Sequence, residues 1–146
     1  TLADEGTPVH VDAALARSTA AADWIRFHTD APLAEAPDAA AFAIVADPAA
    51  MQPLKTFALG SAEYPDRSTT VIIQVETVSR ETGLRLEGPG IDGVAELSAT
   101  PLPPGFVQQM RDNRALFPRG VDIVLASPAA IAALPRSVHI DSRPTA

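Results

Sequence analysis

Few residues in this chain of 146 have types and spacings suited to chemistry. Gly88-Pro89-Gly90-Ile91-Asp92-Gly93 has the spacing of a dinucleotide-binding fingerprint, follows an alternation that reads as a strand, and has an acid, Asp112, about twenty residues further on. The fingerprint works only if its last glycine opens a crossover helix aimed at a pyrophosphate, and Pro101 leaves too few residues after Gly93 for one. A structural turn accounts for these glycines, which tolerate positive φ without any ligand. A Walker-type phosphate loop needs glycines ahead of its lysine, yet Lys55 follows Ala50-Met51-Gln52-Pro53-Leu54. Lys55 is also the single lysine, so a Schiff base to pyridoxal phosphate would have to use it, and a lone lysine is usually solvated surface. No cofactor is expected.

The three histidines, His10, His28 and His139, are far apart and show none of the short spacings of a zinc site, and no nucleophile-elbow serine occurs. His28 stands out because Trp24 lies one turn before it and Arg26 beside it, which could form a ligand-facing corner. The competing explanation is a helix C-terminus, where histidine stabilises the free carbonyls through the dipole. Asp122, just after Gly120, and Arg136, just after Pro135, begin neighbouring elements and suit a buried charge pair, since charges near a core survive by pairing.

Composition narrows the choice of partners. A formal net charge of -7 repels phosphate backbones and anionic lipid, which argues against nucleic acid and membrane surfaces. With no cysteine there are no disulfides, thiolate metal sites or iron-sulfur ligands. No apolar run approaches the ~20 residues of a membrane span. Thr1-Leu2-Ala3-Asp4-Glu5 is neither a basic leader nor a transit peptide, so a cytoplasmic protein is expected. At this length, with 47% hydrophobic residues, one core is expected.

The elements that must position these residues follow from periodicity. Asp12 is placed to cap a helix running to about His28, with Leu15, Ala22 and Ile25 on one face and Pro32 enforcing its end. Phe42 to Ala46 reads as a buried strand, with a short helix or loop through Met51 and Leu54 after it. The best strand is Thr69 to Val78, turned by Arg80-Glu81-Thr82-Gly83 into a return strand, Leu84 to Glu87. Val94 to Ala99 reads as a further strand. Pro103-Pro104 opens a helix with Phe106, Met110, Asn113 and Phe117 at helical spacing. A strand at Val121 to Leu125, a short helix at Pro128 to Leu134, a last strand at Arg136 to Ile140 and a frayed tail from Ser142 complete the chain. Hairpins interleaved with helices predict a single α/β domain, a mixed sheet covered by helices.

Several segments carry a resemblance. Thr1-Leu2-Ala3-Asp4 through Thr7-Pro8-Val9, Ile25-Arg26-Phe27-His28-Thr29-Asp30-Ala31-Pro32, Leu84-Arg85-Leu86-Glu87-Gly88-Pro89-Gly90-Ile91, Phe117-Pro118-Arg119-Gly120-Val121-Asp122-Ile123 and Leu134-Pro135-Arg136-Ser137 resemble, in order and spacing, the PhnH family of phosphonate metabolism. The resemblance covers almost the whole chain, and the family carries a further helical stretch ahead of the Thr-Leu segment. It implies an accessory subunit of the carbon-phosphorus lyase core complex, which joins the ribose triphosphate of ATP to methylphosphonate and displaces adenine. It further implies a fold like that of pyridoxal phosphate-dependent transferases without their cofactor site, other lyase subunits as partners, and a homodimer in isolation. No residue is assigned a catalytic role. Arg26, His28, Gly90, Arg119, Asp122 and Arg136 are expected to serve structure or docking. The alternative is a phosphonate- or nucleotide-binding or catalytic domain with its site around His28, Asp122 and Arg136.

Overall fold

The computed structural model describes residues 2–142. Its strands are β1 (Val9–Val11), β2 (Phe42–Val45), β3 (Thr70–Gln74), β4 (Thr77–Glu87), β5 (Ala95–Thr100), β6 (Asp122–Ala126), β7 (Ile131–Leu134) and β8 (His139–Ser142). The helices are α1 (Ala13–Ala16), α2 (Thr19–Thr29) and α3 (Phe106–Ala115), with short 3-10 turns between them. The α/β class and mixed strand pairing expected from the sequence are present, but the strands divide between two sheets. The first has the order β1-β2-β3-β6-β7, parallel from β1 to β6 with β7 antiparallel at the edge; the second is antiparallel, in the order β5-β4-β8.

Alternation along the strands decides which face of the first sheet is dry. Ala43, Val71, Ile73, Ile123 and Leu125 are each fully buried, and their registers align them on one face. Against that face pack Leu84, Leu86, Leu97 and Ile140 of the second sheet, with Phe106 and Met110 of α3. The opposite face carries Phe42 and Ile44, which close a smaller cluster with Val9, Ile25 and Ala31 beneath α2. Farther across that face Ile72 and Val124 are only half-buried, and Ile131 is exposed.

Several boundaries differ from the periodicity, each for a physical reason. Asp12 does cap a helix, accepting from Leu15 N–H at 3.0 Å, but the helix stops at Ala16 and restarts at Thr19. The other Asp12 carboxylate oxygen accepts from the Ala46 and Asp47 N–H groups at 2.8 Å each, so the cap also ties α1 to the end of β2. The long strand expected over Thr69 to Val78 is two: β3 ends at Gln74 in the first sheet, and β4 starts at Thr77 in the second. The turn signal at Arg80 to Gly83 appears as a bulge inside β4, where the ladder passes from Ser79↔Ser98 directly to Leu84↔Leu97. A Cβ on Gly83 would stand 2.5 Å from the Leu97 carbonyl oxygen, so only glycine lets the two strands approach here.

The hairpin partner of β4 is therefore β5, reached through the Gly88 to Val94 loop. Pro103 and Pro104 lie in the turn ahead of α3 rather than in its first turn, and Phe117 falls beyond the helix, exposed. The helix expected over Pro128 to Leu134 is instead β7, joined to β6 through a turn in which Ser127 N–H donates to the Ala130 carbonyl at 2.9 Å. Arg136 sits in the turn ahead of β8, closed by Val138 N–H donating to the Pro135 carbonyl at 2.9 Å, so the last strand begins only at His139. Apart from Ser142, which ends β8, the tail lies outside the described residues.

Candidate functional site

Asp122 and Arg136 form the charge pair that their sequence positions suggest. Asp122 opens β6, and Arg136 reaches it from the β7–β8 turn: its backbone N–H donates to Oδ1 at 2.8 Å, its Nε to Oδ1 at 3.2 Å and its Nη2 to Oδ2 at 2.6 Å. The remaining guanidinium protons are also taken. Nη1 donates to the Pro65 carbonyl at 2.7 Å and the Pro118 carbonyl at 3.3 Å, and Nη2 to Ser68 Oγ at 2.6 Å. A guanidinium has five N–H donors, and all five are used. The pair thus joins β6, the β7–β8 turn, the Pro65–Ser68 loop and the Phe117–Gly120 turn, and leaves no donor for a substrate anion. Burial pushes the Asp122 carboxyl up, but hydrogen bonds from the Arg136 side chain and backbone, with its charge, outweigh that and hold it below the ordinary carboxylate range.

One residue the periodicity placed only on a helical stripe is central to the same region. Asn113 is 3% exposed, and its amide clamps Val121: Nδ2 donates to the Val121 carbonyl at 2.9 Å, and Oδ1 accepts from Val121 N–H at 2.8 Å. Gly120 passes beneath it at φ 126°, where an added Cβ would meet Oδ1 at 2.8 Å. Phe-Pro-Arg-Gly-Val-Asp is therefore the segment that lets the chain leave α3, pass under Asn113 and deliver Asp122 to Arg136. The signal available in the sequence was a polar residue at an apolar-stripe position. Arg119 itself is exposed, and its backbone N–H closes the turn on Leu116 at 3.0 Å.

The other sequence candidates lie elsewhere. His28 and Arg26 are exposed in the last turn of α2. The His28 ring contacts Trp24 at 4.5 Å between centroids and Phe27 edge-on at 5.0 Å. Helix α2 lies over β1 and β2, whereas Asp122 opens β6, three strands from β1 and so about 14 Å across the sheet at ordinary strand spacing. The structure brings Asp122 and Arg136 together and leaves His28 apart from them. Gly90, at φ 82°, lies in the turn in which Ile91 N–H donates to the Gly88 carbonyl at 3.1 Å, with open space where its Cβ would be. That turn leads into β5 and no helix follows it, as the position of Pro101 required.

His10 contacts the Ala34 carbonyl at 3.0 Å, and His139 contacts Asp141, which Arg111 also holds. Lys55 stands exposed at the mouth of an apolar cleft of about 450 Å³ between Pro53, Leu54, Leu59 and the α3 stripe Gln109, Asp112, Asn113 and Leu116. The amides of Gln109 and Asn113 there are committed to backbone partners. Among the described residues no cluster of three or more His, Asp or Glu could hold a metal ion.

Comparison with known proteins supplies what local geometry does not. Residues 1–141 match the model of a bacterial phosphonate metabolism protein family, PhnH. The chain belongs to the PhnH family. It is 40% identical over 141 residues to the alpha-D-ribose 1-methylphosphonate 5-triphosphate synthase subunit PhnH of Rhizobium meliloti, a match covering 97% of this chain and 70% of that protein. It is also 40% identical over 83 residues to HtxG of Stutzerimonas stutzeri, provisionally described as a C-P lyase subunit, covering 57% of this chain and 43% of that protein. The PhnH match spans every segment that carried the resemblance, from Thr1 to Ser137.

Proposed function

We propose that this chain is an accessory, non-catalytic subunit of the carbon-phosphorus lyase core complex in organic phosphonate breakdown, the assembly that makes alpha-D-ribose 1-methylphosphonate 5-triphosphate. The observation that carries the proposal is a 40% identity to a named subunit of that synthase along 97% of this chain. Site chemistry supports the non-catalytic half. The family-motif side chains best placed for catalysis, Asp122 and Arg136, spend their donors and acceptors on each other and on neighbouring backbone.

The finer parts of the proposal concern setting. The partners are other lyase subunits in the cytoplasm; no helix among the described residues is long and apolar enough to cross a membrane. The chain acts as one domain. In isolation it forms a homodimer, a reading supported by Trp24 and Phe27, which are 61% and 83% exposed. The likeness to the pyridoxal phosphate-dependent transferase fold is also a proposal, and it rests on the family resemblance alone.

The test is co-purification of the tagged chain with the other lyase subunits expressed together. Stoichiometric recovery that survives size exclusion is expected. Failure of every subunit to co-elute would overturn the proposal.

A further inference from the structure

The cleft beside α3 combines a ligand-sized space with charged groups whose capacity the fold leaves open. Its volume of about 450 Å³ lies in the range of small-molecule sites. One wall is the 3-10 turn Leu54–Thr56, with Pro53 ahead of it and Leu59 after it. The other is a single face of α3, on which Gln109, Asp112, Asn113 and Leu116 recur at helical spacing. These walls are fixed without any occupant. Leu54 N–H donates to Gln109 Oε1 at 2.8 Å, Gln109 Nε2 donates to the Pro104 carbonyl at 2.9 Å, and the Asn113 amide is spent on Val121.

Polarity in the cleft is sorted by depth. Leu54 and Asn113 are buried, Leu59, Gln109 and Leu116 are half-buried, and the two charged residues, Lys55 and Asp112, are exposed. Among the described residues no buried side-chain nitrogen or oxygen lacks a partner, so the interior asks for no polar group. The rim does. Lys55 makes no ion pair among the described residues, with Asp112 or any other acid. Asp112 accepts from Gln108 Nε2 at 2.8 Å through Oδ1, which leaves Oδ2 open. The nearby Arg111 and Arg114 are turned to the β8 side of α3, where they reach Asp141 and the Ser137 carbonyl.

We propose that this cleft binds a free α-amino acid with an apolar side chain. The side chain enters between Leu54, Leu59 and Leu116, the carboxylate meets Lys55, and the ammonium group donates to Asp112 Oδ2. The sorting by depth selects this class: a compound charged at both ends of an apolar body would have to bury a charge or bend, whereas an α-amino acid keeps both charges on one carbon at the rim. A simple carboxylate would meet Lys55 but oppose Asp112, and a simple amine the reverse; the zwitterion satisfies both. Neutral as a whole, it also escapes the repulsion that a net charge of -7 imposes on anions. With no hydroxyl, thiol or imidazole in its lining, the cleft holds this ligand without transforming it.

Amide NMR shifts of the whole chain titrated with L-phenylalanine test the site. Saturable shifts are expected at Leu54, Lys55, Leu59, Asp112 and Leu116, and none on the α2 surface. Glycine, which has the same charges and no side chain, should leave the spectrum unchanged. Lys55→Gln and Asp112→Asn should each raise the dissociation constant about 3- to 5-fold, the upper part of what a rim charge contributes. Hydrocinnamate, which lacks the amine, should bind more weakly and lose further with Lys55→Gln but not with Asp112→Asn; phenethylamine, which lacks the carboxylate, should do the opposite. A crevice that is merely apolar does not give this crossed pattern.

Both substituted side chains are exposed, so these variants should keep the parent's melting temperature. Leu116→Trp, which fills the cleft, should abolish the shifts, with circular dichroism reporting its fold. Absence of saturable shifts at the lining residues up to the solubility limit of L-phenylalanine overturns the site. So does binding indifferent to both Lys55→Gln and Asp112→Asn, or shared equally by glycine. None of these results bears on the subunit assignment, which co-purification tests separately.

Discussion

At the residue scale the structure separates side chains that hold the fold from side chains that face outward. Asp122 has a carboxyl lowered below its ordinary range despite burial, so the unfolded chain binds its proton more readily than the folded one. The stability this contributes is present above about pH 4, the ordinary carboxylate value, and is lost as pH falls through the lower folded value. Asp122→Asn should therefore cost about 1–2 kcal/mol at pH 7, discounted from a fully buried pair because a third of the carboxyl side chain is exposed. The deficit should shrink in acid, and urea titrations of parent and variant at pH 7 and pH 3 check it; a deficit independent of pH would show that the charge is not what matters.

Asn113→Ala leaves the Val121 N–H and carbonyl unpaired in the core and should cost about 1–3 kcal/mol at either pH. His28→Ala, on an exposed ring, should stay within about 0.5 kcal/mol. The Asp122–Arg136 pair was legible in the sequence because each residue stands just past a chain-breaking Gly or Pro, although only Asp122 opens a strand and Arg136 lies in the turn ahead of β8. The clamp by Asn113 was not, since its partner is backbone and backbone carries no sequence signal.

At the scale of elements, the central strands were legible wherever β-branched residues alternate, and the boundaries failed where tertiary pairing overrode local preference. Ala129-Ala130-Ile131-Ala132-Ala133-Leu134 has good helix formers and reads locally as helix, yet the segment gains more by extending beside β6 with Ala132 and Leu134 against the core. The two conformations make opposite demands on Ile131 and Leu134. Three residues apart, they would share a face of a helix, whereas in β7 they lie on opposite faces, at 74% and 2% exposure. Leu134→Ala should therefore cost about 2–5 kcal/mol and Ile131→Ala within about 0.5 kcal/mol, measured by chemical denaturation. Equal losses would restore the helix. A similar limit explains β4: the Arg80–Gly83 turn signal was real, but the close approach of Gly83 to Leu97 that makes it a bulge depends on a strand far along the chain.

At the scale of the whole molecule, the question is whether turnover of the complex passes through this chain. Its most strongly built polar node is closed upon itself, its exposed aromatic stripe is shaped for a protein neighbour, and its acidic field offers no general attraction to phosphate compounds. A subunit of this kind affects turnover by being present and correctly seated. In a reconstituted synthase, His28→Ala, Asp122→Ala and Arg136→Ala should then lose activity only in proportion to the complex they fail to form. Asp122→Ala and Arg136→Ala act through stability, and His28→Ala acts through the α2 surface. The measurement pairs the fraction of subunit assembled, from size exclusion, with turnover per assembled complex. Proportional loss separates a seating role from chemistry because removing a general acid or base typically costs about a hundredfold or more while leaving assembly intact. A variant that melts and assembles like the parent yet falls by that factor would put proton transfer on this chain, and the one to watch is His28→Ala, whose imidazole is the only one of the three groups not already committed to holding the fold.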